Sequence, residues 1–225
     1  MNALPDILKK ELETKWEAFK DSAKKAGIHL SQDPPILDAL QRVLALSRFV
    51  AENGIRKPAL ISDLIDSGDL QRRYAPKDYH QKLKTILSDT TDEAALNRNL
   101  RTFLRRKMLR IAFRDLCGWS DLAETVTDLS TLADTCLEQT VAILTRWLSE
   151  RLGEPIAEDG SRQNLVVLGL GKLGAGELNF SSDIDLIFTY PRSGRTTGGT
   201  HSVSNDDFFT RLGRRLIKVL SQPTD

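Results

Sequence analysis

The chain has 225 residues, of which 40% are hydrophobic and 28% are charged, a composition typical of a globular protein with one or two domains. Its 32 basic and 31 acidic residues give a net charge of +1, so charge gives no reason to expect nucleic acid or a membrane as a partner. Residues 1–10 lack a signal-peptide pattern, no apolar run approaches about 18 residues, and the two cysteines, Cys117 and Cys136, lack metal-ligand spacing. We therefore expect a cytoplasmic protein with reduced thiols.

The first two thirds of the chain are predicted to be helical. Only four of the 14 glycines precede residue 150, and apolar residues recur there at helical spacing. The predicted helices span residues 6–26, 34–49, 58–66, 78–88, 96–118 and 120–153. Asp33 is expected to cap the second helix, and Ser130 is expected to interrupt the last one by capping a new segment.

The fifth predicted helix is strongly basic. It carries seven basic residues between positions 98 and 114, namely Arg98, Arg101, Arg105, Arg106, Lys107, Arg110 and Arg114. One interpretation is a solvated face that forms ion pairs with acids of neighbouring helices. Another is an edge that borders a nucleotide site or docks an acidic partner. Nucleic acid is disfavoured, because stacking aromatic residues are not interleaved with the bases.

A glycine-rich turn between two apolar runs is the most informative part of the sequence. Residues 165–168 and 184–190 predict two buried strands. Between them, the backbone can turn tightly and approach a ligand closely at Gly169, Gly171, Gly174 and Gly176. A short helix over residues 172–178 would direct its free N–H groups toward the turn, where a phosphate could bind.

Two aspartates, Asp183 and Asp185, enter the second predicted strand one residue apart. In a strand this spacing places both carboxylates on one face, roughly 7 Å apart along the chain. Such a pair is a site of hard oxygen ligands of the kind that Mg²⁺ prefers, and Ser181 and Ser182 add hydroxyl groups just before it. The alternative is that Asp183 caps a turn and Asp185 is solvated at a strand end.

The same glycines also satisfy the dinucleotide-binding fingerprint, with Gly169, Gly171 and Gly174 after an apolar strand. That fold requires a full crossover helix and an acidic residue about 20 positions later, at the end of the next strand. Here the second strand follows the turn too soon, and the acids come at its start. The spacing therefore favours a nucleotidyltransferase, in which a glycine turn is followed by Asp-x-Asp.

The end of the chain is predicted to be a loop followed by a helix. Residues 191–204 contain three glycines and several Ser and Thr, which predicts a mobile polar loop. A final helix is expected to begin at Asp206, with an apolar face formed by Phe208, Phe209, Leu212, Leu216, Ile217 and Leu220. Only two strands are evident in this part of the chain, so we expect an incomplete sheet.

A resemblance to a known family is carried by the residues GLGKLGAGELNFSSDIDLIF, which are similar to the active-site signature of the glutamine synthetase adenylyltransferases. The segments FVAENGIRKPALISDLIDSGDL and LRRKMLRIAFRDLCGWSDLAETVTDLSTLAD also resemble the helical N-terminal region of that family, so the resemblance covers most of the chain. Its members are bifunctional enzymes with two polymerase-β-like nucleotidyltransferase domains, and this chain resembles the deadenylylating copy. The resemblance implies an α+β fold, with an all-α region over residues 1–155 and the first part of a nucleotidyltransferase domain, with an incomplete mixed sheet and helices, over residues 156–225.

The resemblance also implies roles for individual residues. Asp183 and Asp185 would be catalytic and bind Mg²⁺, and Gly171, Lys172 and Ser182 would hold phosphate oxygens, although the wider superfamily has Gly-Ser where this chain has Gly171-Lys172. ATP, ADP and phosphate are implied as substrates or products, and glutamine synthetase and a PII-type signal protein as partners. The family supplies a third carboxylate from a later strand. We therefore expect the chain to be the first piece of a longer enzyme and to be inactive alone.

The function that the resemblance implies is removal of AMP from an adenylyl-tyrosine of glutamine synthetase by phosphorolysis, with release of ADP. The parent enzyme would also add AMP from ATP, in the regulation of nitrogen assimilation. A second hypothesis is a non-catalytic, truncated interaction module that docks glutamine synthetase or a PII-type regulator. A third hypothesis, a dinucleotide-binding oxidoreductase, is disfavoured by the spacing.

Overall fold

The computed structural model describes residues 6–221, with side chains from Lys10 onward. The residues before Asp6, on which the signal-peptide prediction partly rests, lie outside the described residues. The described chain contains the helices α1 (Asp6–Lys25), α2 (Pro34–Leu46), α3 (Arg48–Arg56), α4 (Pro58–Asp66), α5 (Pro76–Leu87), α6 (Glu93–Leu116), α7 (Leu122–Leu152), α8 (Gly171–Gly174) and α9 (Asn205–Ser221), and the strands β1 (Gly153–Ala157), β2 (Val166–Gly169), β3 (Leu186–Thr189) and β4 (Gly194–Gly198).

The chain divides into two compact units, and the long helices α6 and α7 contribute to both. The first unit consists of the described residues up to Tyr74 together with Arg105–Asp128. The second consists of Ala75–Leu104 and the described residues from Leu129 onward. The functional boundary that the sequence predicts near residue 155 is a different kind of division, and it stays a prediction.

The helix predictions are largely confirmed, with one division missed. Gly27 ends α1 with a φ of +69°, and α4 has the predicted bounds. Asp33 occupies the N-cap position of α2, although its side chain makes no capping hydrogen bond. The predicted second helix is wrong in its extent, because Ser47 leaves helical geometry and its hydroxyl accepts a hydrogen bond from the backbone N–H of Val50. A new helix therefore starts at Arg48.

The predicted interruption of the sixth helix at Ser130 is wrong. Helix α7 runs without a break from Leu122 to Leu152. The hydroxyl of Ser130 does not cap a new helix; it accepts a hydrogen bond from the backbone N–H of Leu178, at 3.1 Å. The hydrogen bond to Leu178 therefore uses this serine within an unbroken helix, where the sequence predicted a helix cap.

Most bases in the second half of α6 are internal to the first unit. Arg110 is fully buried, and its Nη1 donates to Asp128 Oδ2 at 2.9 Å. Arg114 is also buried and donates to Glu124 Oε1 at 2.7 Å. The ion-pair interpretation of this basic helix is thus confirmed for these residues, but the face is buried and not solvated as predicted. Their spacing places them on the side of α6 that also carries Leu109 and Phe113 into the core.

The two sheets of the second unit confirm the α+β class and correct the prediction for its strands. Strand β1 pairs antiparallel with β4, and β2 pairs antiparallel with β3. Within residues 6–221 all strand pairing is antiparallel, and the sheet is not mixed. The predicted mobile loop over residues 191–204 is wrong in part, because Gly194–Gly198 forms β4.

Strand β4 could not be predicted from hydrophobic periodicity, because close backbone contact at a glycine holds it in place. A Cβ on Gly199 would lie 2.2 Å from the carbonyl carbon of Leu152. The segments that contain these two residues can therefore approach this closely only because Gly199 has no side chain. The strand itself, GRTTG, shows no apolar alternation. A strand that is held by close backbone contact does not produce the pattern on which strand prediction depends.

Helix α9 packs against the β2–β3 hairpin and against α6. The final helix was predicted from Asp206 and begins at Asn205. A Cβ on Gly213 would lie 3.6 Å from the ring of Phe188 in β3, and the rings of Tyr190 and Phe209 stack with centroids 4.7 Å apart. At the other end of α9, Asn97 of α6 donates to the carbonyl of Val219 at 2.7 Å.

Among the helices of the described region, none combines the length and the apolar character that crossing a membrane requires.

Candidate functional site

The glycine turn follows β2 directly and is more compact than predicted. Helix α8 is a single turn, Gly171–Gly174, and does not reach Leu178. A Cβ on Gly174 would lie 2.4 Å from the carbonyl oxygen of Gly169, so glycine is required for α8 to pack against the end of β2. Gly171 begins the turn with a φ of +55°, a conformation that is costly for residues with a side chain. The predicted helix over residues 172–178 is therefore wrong in length, because Gly176 leaves the helical region with a φ of +70°.

The segment after α8 is held against α7. Leu173 and Leu178 are both buried, and the N–H of Leu178 donates to Ser130 Oγ. Beyond it, Ser182 Oγ accepts from the N–H of Asn179 and donates to Asn179 Oδ1, at 3.1 and 3.0 Å. These bonds fix the turn that leads to Asp183. The sequence carries no signal for the role of Ser130, because it lies 48 residues before its partner.

The two aspartates lie at the entry to β3, as predicted, but Asp185 precedes the strand and does not lie within it as predicted. The strand begins at Leu186, which pairs with Gly169, and the last bond of the ladder joins the N–H of Leu170 to the carbonyl of Asp185 at 2.9 Å. Beyond this bond the segment that follows β2 turns away into α8, so the strand pairing does not extend to Asp183. The register places the glycine turn and Asp185 side by side at the same end of the hairpin.

Both carboxylates are available to a ligand. Asp183 and Asp185 are exposed, and neither side chain forms a hydrogen bond or an ion pair with another residue in the part of the chain that the structure describes. Two unpaired carboxylates fit the hard oxygen ligands that Mg²⁺ prefers. Within residues 6–221, no group of three or more His, Cys, Asp or Glu residues is arranged to hold a metal. Metal binding by the pair Asp183 and Asp185 stays a prediction.

The other predicted site residues lie near this pair but differ in availability. Gly171 and Lys172 are exposed, and the Lys172 amine has no ion pair with any described residue. Ser182 is half-buried, and its hydroxyl already bonds Asn179. Lys172 is thus free to reach an anion, whereas the visible role of Ser182 is to shape the turn. Phosphate binding by Gly171, Lys172 and Ser182 stays a prediction.

The hairpin has one packed face and one open face, so the prediction of two buried strands is wrong for the open side. Val167 and Phe188 pair in register and are half-buried on the packed face. Leu168 and Ile187 pair on the other face and are each 47% exposed. Asp185 lies two residues before Ile187, so it shares this open face. The candidate metal ligand therefore continues an uncovered apolar surface.

We expect Ser130→Ala to loosen the segment that supports the aspartates. The change leaves the buried N–H of Leu178 without its acceptor, and an unsatisfied buried donor costs about 1–3 kcal/mol. Hydrogen exchange at the Leu178 amide should become faster, and urea denaturation should show lower stability. Ser149→Ala is the matched control on α7, because Ser149 Oγ is buried and has no hydrogen-bond partner among the described residues. Equal effects of the two substitutions would contradict this role of Ser130.

Comparison with known proteins identifies the family. A model of the glutamate-ammonia ligase adenylyltransferase family matches residues 37–225. The chain is 42% identical over 226 residues to a bifunctional glutamine synthetase adenylyltransferase/adenylyl-removing enzyme of Nitrosococcus oceani. It is 43% identical over 224 residues to the enzyme of that name from Thioalkalivibrio sulfidiphilus, and 48% identical over 189 residues to that of Pseudomonas aeruginosa.

These matches cover nearly all of the chain but a small part of each relative. The Nitrosococcus and Thioalkalivibrio matches cover 100% of this chain and 23% of the relative. The Pseudomonas match covers 84% of this chain and 19% of the relative. The family match over residues 37–225 includes the glycine turn and the aspartate pair. This chain belongs to the glutamate-ammonia ligase adenylyltransferase family.

Proposed function

We propose that the chain forms the deadenylylating part of an enzyme that acts on glutamine synthetase. In this proposal the enzyme removes AMP from an adenylyl-tyrosine by phosphorolysis and releases ADP, and a second nucleotidyltransferase domain of the same enzyme adds AMP from ATP. The names of the relatives, which include both an adenylyltransferase and an adenylyl-removing activity, support this proposal. Regulation by a PII-type signal protein is proposed from the family resemblance.

The observation that carries the proposal is the position of two unpaired carboxylates beside a tight glycine turn. Asp185 is joined to the turn through the N–H of Leu170, and the exposed Lys172 lies on the turn itself. Phosphoryl-transfer enzymes depend mainly on positioning and on stabilising charge at the transferred group. An exposed lysine and two free carboxylates at one end of a hairpin supply a cationic and a metal-binding group for such a substrate.

Each residue has a distinct part in the proposed reaction. Asp183 and Asp185 would hold Mg²⁺, which when bound supplies positive charge to neutralise the transferred phosphoryl oxygens. Lys172 would bind an oxygen of the attacking phosphate or of the adenylyl group. Phosphate forms a bond to the adenylyl phosphorus while the bond from that phosphorus to the tyrosine oxygen breaks. The tyrosine oxygen takes up a proton, and ADP leaves.

The strand arrangement supports a nucleotidyltransferase over a dinucleotide-binding oxidoreductase. A dinucleotide-binding unit consists of parallel strands joined by a full crossover helix. Here β2 and β3 are antiparallel, and α8 between them has four residues. The glycine fingerprint is therefore used in a different local fold. Gly174 serves close packing against Gly169, which requires no ligand.

The proposed function is tested by an assay on a full-length family member that carries this segment. Adenylylated glutamine synthetase and phosphate should yield ADP in amounts equal to the tyrosine that is released. Formation of AMP in place of ADP would indicate hydrolysis and would contradict phosphorolysis. Capture of glutamine synthetase without any nucleotide turnover would favour the non-catalytic interaction module.

Adenine nucleotides are expected to stabilise the complete domain, and nicotinamide dinucleotides are not. A ligand at about 100 times its Kd stabilises the folded state by about 2.7 kcal/mol, so ADP or ATP with Mg²⁺ should raise the Tm measurably. Lys172→Ala should reduce this shift, because the substitution removes the exposed cation of the turn. Lys77→Ala is a control on α5 of the same unit. A Tm shift with NADH and none with ADP would overturn the choice between the two glycine interpretations.

A further inference from the structure

A cleft in the second unit lies beside the candidate site. It has a volume of about 740 Å³ and is lined on one side by a face of α7 from Asp134 to Glu150. These residues span about 24 Å along the helix axis, at 1.5 Å per residue. The opposite side includes Leu165, Val167 and Gly169. The cleft is thus long and narrow, with a helix along one wall and β2 along the other.

The wall formed by β2 contains the unpaired edge of that strand. In an antiparallel pair of strands, hydrogen-bonded and non-hydrogen-bonded residue pairs alternate. Because the N–H of Leu170 donates to the carbonyl of Asp185, the pairs 168/187 and 166/189 are also hydrogen-bonded, and the pair of Val167 with Phe188 is not. The N–H and C=O groups of Val167 therefore point away from β3. No backbone hydrogen bond outside the described helices and strands involves Val167. An open strand edge is a template for pairing with another extended segment.

The cleft walls carry more negative than positive charge. The acids are Asp134, Glu138, Glu150 and Glu154, and the bases are Arg146 and Arg162. Arg162 is paired with Glu154 at 2.6 Å, so it does not neutralise the acids of α7. Burial and the neighbouring charge of Glu138 raise the pKa of Asp134. Two carboxylates at i and i+4 repel each other in a helix, and a cation in the cleft would relieve this repulsion.

The walls also contain an apolar strip and one unsatisfied polar atom. Leu137, Leu165 and Leu173 give the cleft apolar surface suited to alternate side chains of a strand. Ser149 Oγ is buried without a hydrogen-bond partner among the described residues, and Ser149 lines the cleft. A buried hydroxyl without a partner is costly unless a ligand group completes it.

We propose that this cleft binds an extended, basic segment of a second protein, which adds as a third strand to the free edge of β2. Main-chain hydrogen bonds to Val167 supply affinity, and lysine or arginine side chains that point toward α7 pair with Asp134, Glu138 and Glu150. The open strand edge favours a polypeptide over a small molecule. A second copy of the chain is a poor occupant, because none of the four strands in the described region carries basic residues at alternate positions. The proposal does not depend on adenylyl chemistry.

Binding of designed peptides tests this proposal on the 225-residue chain. The probe is a fluorescein-labelled peptide of about nine residues with alternating Lys and Val, and its binding is measured by fluorescence anisotropy. One control peptide has Glu in place of Lys, and another keeps the sequence but is N-methylated at alternate amides. We expect the basic peptide to bind and both controls to bind at least about tenfold more weakly. Hydrogen exchange at the Val167 amide should slow when the basic peptide is bound.

Protein variants separate this site from general attraction to acidic surfaces. Asp134→Lys and Glu150→Lys should each weaken binding by at least about tenfold. Asp89→Lys is the matched control, because Asp89 is exposed in the same unit and does not line the cleft; it should change binding less than about twofold. Hydrogen exchange at the Val167 amide is measured on the unaltered chain, so it tests strand addition even if a lysine variant fails to fold.

Several outcomes would overturn the proposal. Equal binding of the N-methylated peptide, or an unprotected Val167 amide, would exclude strand addition. If Asp89→Lys weakened peptide binding as much as Asp134→Lys and Glu150→Lys do, the binding would reflect nonspecific charge attraction. A dimer of the chain that dissociates when the peptide binds would make a second copy the occupant. Binding by the 225-residue chain and none by a full-length family member would assign the cleft to another segment of the same polypeptide.

Discussion

Asp183→Asn and Asp185→Asn are each expected to lower the rate of deadenylylation by about 10³-fold or more in a full-length enzyme that contains this segment. A loss of this size corresponds to about 4 kcal/mol of transition-state stabilisation, within the several kcal/mol that a bound metal supplies. An asparagine keeps the size of the side chain but removes the negative charge that holds the cation. The rate is measured as ADP released from adenylylated glutamine synthetase and phosphate.

The stability of these variants distinguishes a lost ligand from a damaged fold. Because both carboxylates are exposed and unpaired, each substitution should change the free energy of unfolding by less than about 0.5 kcal/mol. Asp89→Asn, at an exposed position of the same unit, should change neither rate nor stability. If Asp183→Asn or Asp185→Asn releases ADP at nearly the parent rate, the metal-ligand assignment is wrong.

Asp69→Asn is expected to cost about 3–5 kcal/mol of stability, because it removes one partner from a buried ionic network. Asp69 is buried, and its carboxylate accepts a hydrogen bond from Lys107 Nζ at 3.3 Å and forms an ion pair with the guanidinium of Arg106. Its carbonyl also accepts from Arg110 Nε at 2.9 Å, so the segment that carries Asp69 connects three bases of α6. The loss is a large fraction of the 5–15 kcal/mol that typically holds a domain folded.

Tryptophan fluorescence in urea measures this effect. Trp147 belongs to the second unit, so a Trp147→Phe background leaves Trp16 and Trp119 as reporters of the first unit. The exposed pair Arg48 and Glu52 is the control in the same unit. Glu52→Gln should cost less than about 1 kcal/mol, because exposed ion pairs contribute little. Similar costs for Asp69→Asn and Glu52→Gln would contradict a stabilising network.

The same network predicts acid sensitivity. Burial alone would raise the pKa of Asp69, but hydrogen bonds from Tyr74 and Arg106 and the charge of Lys107 outweigh it, and the pKa lies well below its ordinary value of 3.8. A depressed pKa means that the unfolded chain binds the proton first as pH falls. The stabilisation is therefore complete above about pH 4 and declines below it, and Asp69→Asn should flatten this part of the stability curve.

The sequence anticipated the candidate site better than its surroundings. The spacing of the glycine turn and the Asp-x-Asp motif, with the family resemblance, placed the two groups together, and the pairing of Gly169 with Leu186 does bring them to one end of a hairpin. The support for that site was not visible. Ser130 was predicted to break α7, because serine is a good N-cap, yet its hydroxyl serves the distant N–H of Leu178. Local preference was overridden by a tertiary hydrogen bond.

Local chemistry by itself determined most of the helices, the position of the glycine turn and which residues are candidates to bind a metal and a phosphate. It did so because helix periodicity, glycine conformation and carboxylate chemistry depend on residues close in sequence. Only the tertiary structure decided that bases of α6 are buried, that β4 pairs with β1, and that β2 presents a free edge to a cleft along α7. Each of these depends on a partner far away in the chain, and an Arg, a Gly or an unpaired backbone group has the same local pattern whether or not that partner is present.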